Sequence, residues 1–229
     1  NEEDIKYKIV KKDKSYNFNT TFSFEKNSMQ IPYIGYQKDK DVKSTLNLKG
    51  KSTANKKTII NSASIIENSN KLEIRNLVLD KNFKITGFKQ IKLAYLDKDK
   101  KENQLDIVNK DNDYYLKGSN FNSNFLIQRL ITNDNKKELD LLNRDFKLNI
   151  VIDKVYIDEK HEVNGLVGNL TFIKNKISEG VLNASFSNKE KLNFTVNSNE
   201  DGKVTTFFLG RAEPIIKRYK FIKGFENGS

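Results

Sequence analysis

Residues Arg144 to Asp158, RDFKLNIVIDKVYID, alternate apolar and polar side chains in the way that defines a β-strand with one buried face. Phe146, Leu148, Ile150 and Ile152 share one phase of the alternation, and Val155 and Ile157 share the other. A bulge or a bend near Asp153 and Lys154 is the simplest account of this change of phase. The stretch therefore predicts one long strand in which the face that carries the apolar residues changes near its middle.

The strands predicted after this stretch have the same pattern. They cover residues 163–173, 179–187, 191–197 and 203–209, and the turns between them are short and polar, as in hairpins. A sheet with one apolar face over many hairpins must cover it by a second sheet, by curling into a barrel or groove, or by lipid. The residues that we expect to line such a groove are Phe146, Leu148, Ile150, Ile152, Leu166, Leu170, Phe172, Leu182, Phe186, Leu192, Phe194 and Val196.

The first half of the chain also predicts short strands separated by polar turns. Tyr16 to Phe24 alternates strictly and is the clearest of them, whereas Met29 to Tyr36 contains Pro32 and Gly35 and suits an edge or a bend. Strands at regular intervals favour a meander over βαβ units. We predict a mainly β fold, a long curved antiparallel meander that forms a groove, with a β-sandwich as the alternative.

Two modules interrupt the predicted strands. Residues 114–131, YYLKGSNFNSNFLIQRLI, and 205–224, TTFFLGRAEPIIKRYKFIKG, each join an apolar strand to a run of helical spacing. Ser123 is a candidate N-cap for the first helix, and the second is expected to begin near Glu213. We expect two short amphipathic helices that act as clasps over the edge of the groove.

The composition limits the classes of function. The 229 residues are 36% hydrophobic and 31% charged, so most strands must be half-buried, as in antiparallel sheets. The net charge of +11 would permit binding to phosphate or to anionic lipid headgroups. However, the basic residues are mostly Lys scattered beside Asn and Asp, which favours compositional bias over a nucleic-acid footprint. We expect no nucleic-acid partner.

Residues that carry chemistry are scarce. There is no cysteine, and the single histidine, His161, lies in the predicted loop DEKHEVNG. Asp153, Asp158 and Glu159 come nearest to paired carboxylates, but acidic residues are common at strand ends and no base or metal set accompanies them. We therefore predict no enzyme activity, no cofactor and no metal site. The chain starts at Asn1 and stops at GFENGS, and we expect it to be a segment of a longer protein.

The order of these segments from about Tyr114 to Ser229 resembles the AsmA-like domain of the AsmA/TamB/YhdP family of envelope proteins in Gram-negative bacteria. The segments are YLKGSNFNSNFLIQRL, DFKLNIVIDKVYID, VNGLVGNLTF, ISEGVLNASF, LNFTV and KVTTFFLGRAEPIIKRYKFIKGFENGS. The resemblance divides the chain into an N-terminal β-meander, residues 1–113, and an AsmA-like β segment, residues 114–229.

The resemblance implies a repeating β-groove that is tethered in the inner membrane through the parent chain and extends across the periplasm. It implies phospholipid or another acyl lipid as partner, carried between the inner and outer membranes, with other envelope proteins as further partners. An apolar groove would hold an acyl chain by about 0.8 kcal/mol per buried methylene, without a specific polar site. The alternative is a β-rich surface interaction or adhesion module with a dry core.

Overall fold

The computed structural model is a β protein dominated by one large sheet. It describes residues 4–53, 57–111, 113–126, 144–174, 176–187, 189–199 and 202–210. The strands form where apolar residues, mostly Ile, Val, Leu, Phe and Tyr, alternate with polar ones, because such runs suit a pleated surface with one buried face. In chain order the strands are β1 (Ile5–Lys12), β2 (Ser15–Phe24), β3 (Met29–Ile31), β4 (Tyr36–Lys38), β5 (Ser44–Thr53), β6 (Thr58–Glu67), β7 (Asn70–Leu79), β8 (Ile85–Gly87), β9 (Gln90–Leu96), β10 (Glu102–Lys110), β11 (Asp113–Asn122), β12 (Phe146–Tyr156), β13 (Glu162–Ile173), β14 (Lys176–Phe186), β15 (Lys191–Asn199) and β16 (Gly202–Leu209).

The large sheet has 14 strands and two free edges. Its order is β1-β2-β5-β6-β7-β9-β10-β11-β12-β13-β14-β15-β16, and β8 pairs with β7 beside this path. Neighbours are antiparallel, except that β11 and β12 run parallel. The mainly β, meandering fold is therefore confirmed, and its fully antiparallel character is corrected at one pair. Alternation shows which side chains share a face, but it does not specify the direction of the neighbouring strand.

Tight turns of polar residues connect paired strands, which explains why polar clusters in the sequence indicated where the chain reverses. Two residues separate β1 from β2 and β6 from β7, because Lys12 pairs with Ser15 and Glu67 pairs with Asn70. The first loop residue has a positive φ in both turns, 53° at Asp13 and 51° at Asn68. Asp and Asn adopt this left-handed region more readily than most residues.

The change of phase predicted near Asp153 and Lys154 in β12 is confirmed. Ile152 pairs with Leu166 and Lys154 pairs with Asn164, so Asp153 is left out of the register. Ile152 and Val155 are both buried although they are three positions apart, which a regular strand of period two does not allow. The bend keeps apolar residues on the same side of the sheet along the whole strand.

The predicted edge or bend at Met29 to Tyr36 is also confirmed. β3, a 3-10 turn at Pro32–Ile34 and β4 form a separate two-stranded hairpin between β2 and β5, which we call the insert. Pro32 suits the first helical position because it needs no amide donor there, and Gly35 ends the turn with φ of 65°.

Only the beginning of the first predicted helix lies within the described residues, where 124–126 are helical. The Ser123 hydroxyl donates to the Tyr156 carbonyl oxygen at 2.9 Å. The Asn124 backbone N–H donates to Asn122 Oδ1 at 3.2 Å. The side chain that accepts a hydrogen bond from the first turn of this helix is therefore that of Asn122 and not that of Ser123. The remainder of this helix and the helix expected near Glu213 lie outside the described residues.

The described strands of both predicted segments belong to one sheet. The boundary at residue 113 falls at the turn between β10 and β11, which pair with each other. The described strands form one large sheet and the separate two-stranded sheet of the insert, and they do not form the two stacked large sheets of a β-sandwich. The boundary at residue 113 remains a prediction.

Candidate functional site

The strand registers collect the apolar side chains on one face of the sheet, which we call the inner face. Leu148 lies opposite Leu170 across β12 and β13, and Leu182 lies opposite Phe194 across β14 and β15. The inner face continues into the first half of the chain, where Leu72 of β7 lies opposite Leu93 of β9. All twelve residues predicted to line a groove lie on the inner face.

These twelve residues differ in how much of the side chain reaches water. The buried ones are Phe146, Ile150, Ile152, Leu170, Phe186, Leu192 and Val196. The half-buried ones are Leu148, Leu166, Phe172, Leu182 and Phe194. The predicted lining is thus brought together on one face, and its side chains are closely packed.

Comparison with the opposite face, which we call the outer face, shows that the inner face is concave or covered. On the inner face, Ile152 is 3% exposed and Val163 is 2% exposed. On the outer face of the same region, Val151, Val167 and Val181 are 46%, 43% and 40% exposed. A flat single-layer sheet would expose the two faces equally, so curvature and overlying chain must crowd the inner face.

The insert covers the inner face at one end of the strands. The Tyr36 ring meets the Tyr95 ring edge-on, with centroids 5.8 Å apart. The Tyr36 hydroxyl donates to Glu67 Oε2 at 2.6 Å, and the Tyr95 hydroxyl donates to the Ile34 carbonyl oxygen at 2.7 Å. Burial and then the Glu67 carboxylate raise the pKa of Tyr36, while burial and then Asp97 raise the pKa of Tyr95. Both hydroxyls therefore remain donors that fasten the insert to the sheet.

A buried polar cluster supports the sheet beside the insert. Asp97 Oδ2 accepts from Asn103 Nδ2 at 3.1 Å and from Asn122 Nδ2 at 2.8 Å. Asp97 Oδ1 accepts from the backbone N–H groups of Asp99 and Lys101. The charged run DKDKKEN at 97–103 is typical of a solvated loop, but Asp97 and Asn103 at its two ends are each only 2% exposed. Their hydrogen bonds make this burial possible.

Four aromatic rings form a row at the opposite end of the strands. Phe88 and Tyr114 have centroids 4.7 Å apart, Tyr114 and Phe146 are 5.5 Å apart, and Phe146 and Phe172 are 4.6 Å apart. Arg144 Nη2 donates to the Tyr114 hydroxyl at 3.0 Å. Sequence reasoning did not place Phe88 or Tyr114 on this face. The parallel pairing of β11 and β12 brings Tyr114 next to Phe146. The sequence signal for the position of Tyr114 is that it shares one phase of the strand alternation with Leu116.

The inner face is open at both edges of the sheet. On β1, Ile5, Tyr7 and Ile9 share the inner face and are 58%, 71% and 60% exposed. On β16, Phe207 lies opposite Phe194 on the inner face and is 45% exposed. The apolar surface therefore continues from its closely packed middle strands to two edges that water reaches.

The residues considered for catalysis lie near the turn after β12. Asp158 and His161 form a hairpin pair, with His161 Nδ1 2.9 Å from Asp158 Oδ2. The Lys160 and His161 backbone N–H groups also donate to this carboxylate. Asp153 and Glu159 are exposed. The arrangement accounts for a stable turn.

Among the described ranges, no group of three His, Cys, Asp or Glu residues is placed to hold a metal ion. In the same part of the chain, no helix has the length and apolar content needed to cross a bilayer. No protein-family model, curated protein or solved structure matches this chain.

Proposed function

We propose that this chain is a non-enzymatic segment of a cell-envelope protein that binds phospholipid acyl chains on its inner face and conducts them between the inner and outer membranes. The observation that carries the proposal is the extent of the inner face, which is mainly apolar from β1 to β16 and exposed to water at both edges. An exposed apolar surface of this kind marks a site of interaction in proteins.

The dimensions and chemistry of the face suit a mobile hydrocarbon chain. Thirteen strands follow one another in the main path, and at about 4.8 Å between strands they span roughly 58 Å. Each methylene buried against them contributes about 0.8 kcal/mol, and no directional polar bond fixes its position. A chain held in this way can slide from strand to strand.

The buried middle of the face defines how a lipid would use it. Side chains such as Ile152 and Leu170 already fill the space there, and the insert lies over Tyr95. An acyl chain would first contact the exposed residues of β1 or β16. It would reach the middle strands when the insert and the half-buried side chains move aside.

The proposed setting follows from the resemblance of residues 114–229 to the AsmA-like domain. It places the chain in the periplasm, as part of a parent protein anchored in the inner membrane, with other envelope proteins as further partners. The scarcity of catalytic residue types fits a carrier that moves lipid without changing it.

A second candidate is a β-rich interaction or adhesion module with a dry core. The burial of seven of the twelve predicted lining residues favours it. Such a module would use its free strand edges to bind protein, by adding a strand to the sheet. It would carry no exchangeable lipid.

Two neighbouring phenylalanines allow a matched test. Phe207 is on the inner face of β16 and Phe208 is on the outer face, at 45% and 61% exposure. We expect native mass spectrometry with lipid extraction to detect phospholipid on the wild type and on Phe208→Asp, and much less on Phe207→Asp. Equal lipid on both variants, or no bound or exchangeable phospholipid on the wild type, would overturn the proposal.

A further inference from the structure

Five lysines lie together on the outer face at the β1 edge of the sheet. Lys6, Lys8 and Lys12 share the outer face of β1, and Lys49 and Lys51 share it on β5. Lys8 and Lys49 lie on either side of the same β2 residue, Asn19. We call these five residues the basic face.

The outer face of strands β1, β2, β5 and β6 carries no carboxylate, and Asp4, which precedes β1, lies two residues from Lys6. The other outer-face residues of β1, β2, β5 and β6 in these registers are Ser, Thr, Asn, Ile and Val. Within the described part of the chain, none of the five lysines forms an ion pair. Farther along the same face the charges are balanced, as in Lys71 with Glu73 at 3.1 Å and Lys92 with Asp106 at 3.8 Å.

The spacing lets the five charges act as a unit. With about 3.3 Å per residue along a strand and about 4.8 Å between strands, they occupy an area of roughly 20 by 10 Å. The Debye length is about 8 Å at physiological ionic strength, so neighbouring ammonium groups add their fields. The topology thus concentrates lysines that look scattered along the sequence.

The rest of the β1 edge favours a membrane surface as the partner. The outer face of β1, β2 and β5 carries no aromatic side chain on which a nucleic-acid base could stack. The inner side of the same edge strand exposes Ile5, Tyr7 and Ile9. Lysines beside exposed aliphatic residues and a tyrosine are the combination that binds the interface of anionic bilayers.

We propose that the basic face docks this chain onto an anionic phospholipid surface, with Ile5, Tyr7 and Ile9 contacting the interfacial region. This goes beyond acyl-chain binding, because it uses the opposite face of the sheet and the phosphate headgroups. It also sets the orientation in which the β1 edge, where the inner face is open, meets the lipid.

The test is sedimentation with vesicles containing about 30 mol% phosphatidylglycerol, compared with pure phosphatidylcholine vesicles. The variant Lys6→Gln/Lys8→Gln/Lys12→Gln removes three charges from the basic face. Lys117→Gln/Lys147→Gln/Lys174→Gln removes three charges elsewhere and serves as the control. At about 1 kcal/mol per lysine, the first variant should bind anionic vesicles about 100-fold more weakly, and the control should bind much as the wild type does.

Binding of the wild type should also disappear as salt rises toward about 1 M, where the Debye length is about 3 Å. The proposal is overturned if both triple variants weaken equally, because net charge alone would then explain binding. Equal binding to neutral vesicles, or tighter binding to a DNA duplex than to anionic vesicles, would also overturn it. Acyl-chain binding measured on Phe207→Asp is a separate readout, so either proposal can fail alone.

Discussion

Lys38 shows how a charged side chain becomes part of the interior. It is 0% exposed, and its Nζ donates to the carbonyl oxygens of Glu25, Asn27 and Asp39 at 2.9, 2.7 and 3.0 Å. The same Nζ lies 5.2 Å from the centroid of the Phe24 ring. Three backbone acceptors and one ring therefore replace the water that an ammonium group would otherwise bind.

Replacing Lys38 with Met should lower the free energy of unfolding by about 1–3 kcal/mol, because buried carbonyl groups lose their donor. Urea unfolding followed by circular dichroism measures the change. Lys26→Met is the control, since Lys26 is half exposed and pairs only with exposed Asp41, and we expect it to change stability by less than about 0.5 kcal/mol. Equal losses in the two variants would contradict a special role for the buried amino group.

The Asp158 turn predicts a pH dependence. Burial alone would raise the pKa of Asp158, but the hydrogen bonds from the His161 ring and from the Lys160 and His161 backbone lower it overall. A carboxylate with a lowered folded-state pKa stabilises the fold above its unfolded pKa of about 3.9, and this stabilisation is lost as the pH falls through the folded value. Asp158→Asn should therefore be less stable than the wild type at about pH 6, and the difference should shrink below about pH 4.

The check on this pH prediction is thermal unfolding across the acid range, with Glu159→Gln as the control because Glu159 is exposed in the same turn. A stability difference between Asp158→Asn and the wild type that stays constant with pH would contradict it.

Residues on the inner face were predictable, whereas the buried polar residues were not. Ile152, Leu170 and Phe194 follow the period of a strand, and burial of one face follows from that period. Lys38 and Asp97 look like solvated loop residues, because their burial depends on partners that only the folded chain brings near. Tyr36 and Glu67, 31 positions apart, are joined in the same way.

At the scale of elements, β13 contains a glycine at which β14 approaches the backbone closely. Gly168 has φ of 154°, and a Cβ at this position would overlap the Val181 carbonyl oxygen of β14. Gly165 has φ of 63°, but a Cβ there would have no atom within 4 Å. Gly165 therefore shows the effect of backbone strain alone, whereas Gly168 combines backbone strain with steric overlap.

We expect Gly165→Ala to cost about 1–2 kcal/mol, the penalty for a Cβ in the left-handed region. Gly168→Ala should cost more, because β13 and β14 must also move apart. Denaturant unfolding compares the two variants, and amide hydrogen exchange would show whether the loss in Gly168→Ala is concentrated in β13 and β14. A smaller effect at Gly168 than at Gly165 would contradict the close approach of these strands.

The strands themselves could be predicted closely, and their arrangement could be predicted only in part. The strand predicted at Tyr16 to Phe24 lies within β2, and the bend in β12 lies where the phase changes. The parallel pairing of β11 with β12 was missed, because it depends on the path of the chain between residues 122 and 146. Local patterns contain no information about that path.

At the scale of the whole molecule, the two faces and the two edges of the sheet have different characters. The inner face is mainly apolar, and its middle is filled while its edges are exposed. The outer face is basic at the β1 edge and balanced in charge from β7 to β11. An anionic membrane at the β1 edge and an acyl chain on the inner face would therefore occupy adjoining surfaces of one sheet.

The insert should control how much of the inner face is open, and its removal tests this directly. Phe24 and Ser44 already pair at the ends of β2 and β5, so a short Asn-Gly turn can replace residues 26–42 without changing the register. The variant loses the Tyr36 contact with Tyr95 and should be less stable by about 2–3 kcal/mol, the value of one large buried side chain. Binding of an apolar fluorescent dye should rise as the inner face is uncovered, and phospholipid uptake should rise with it.

Tyr36→Phe is the control, because it keeps the insert and removes only the hydrogen bond to Glu67. Unchanged dye binding in a shortened variant that keeps its β circular dichroism spectrum would show that the insert does not cover the inner face in solution.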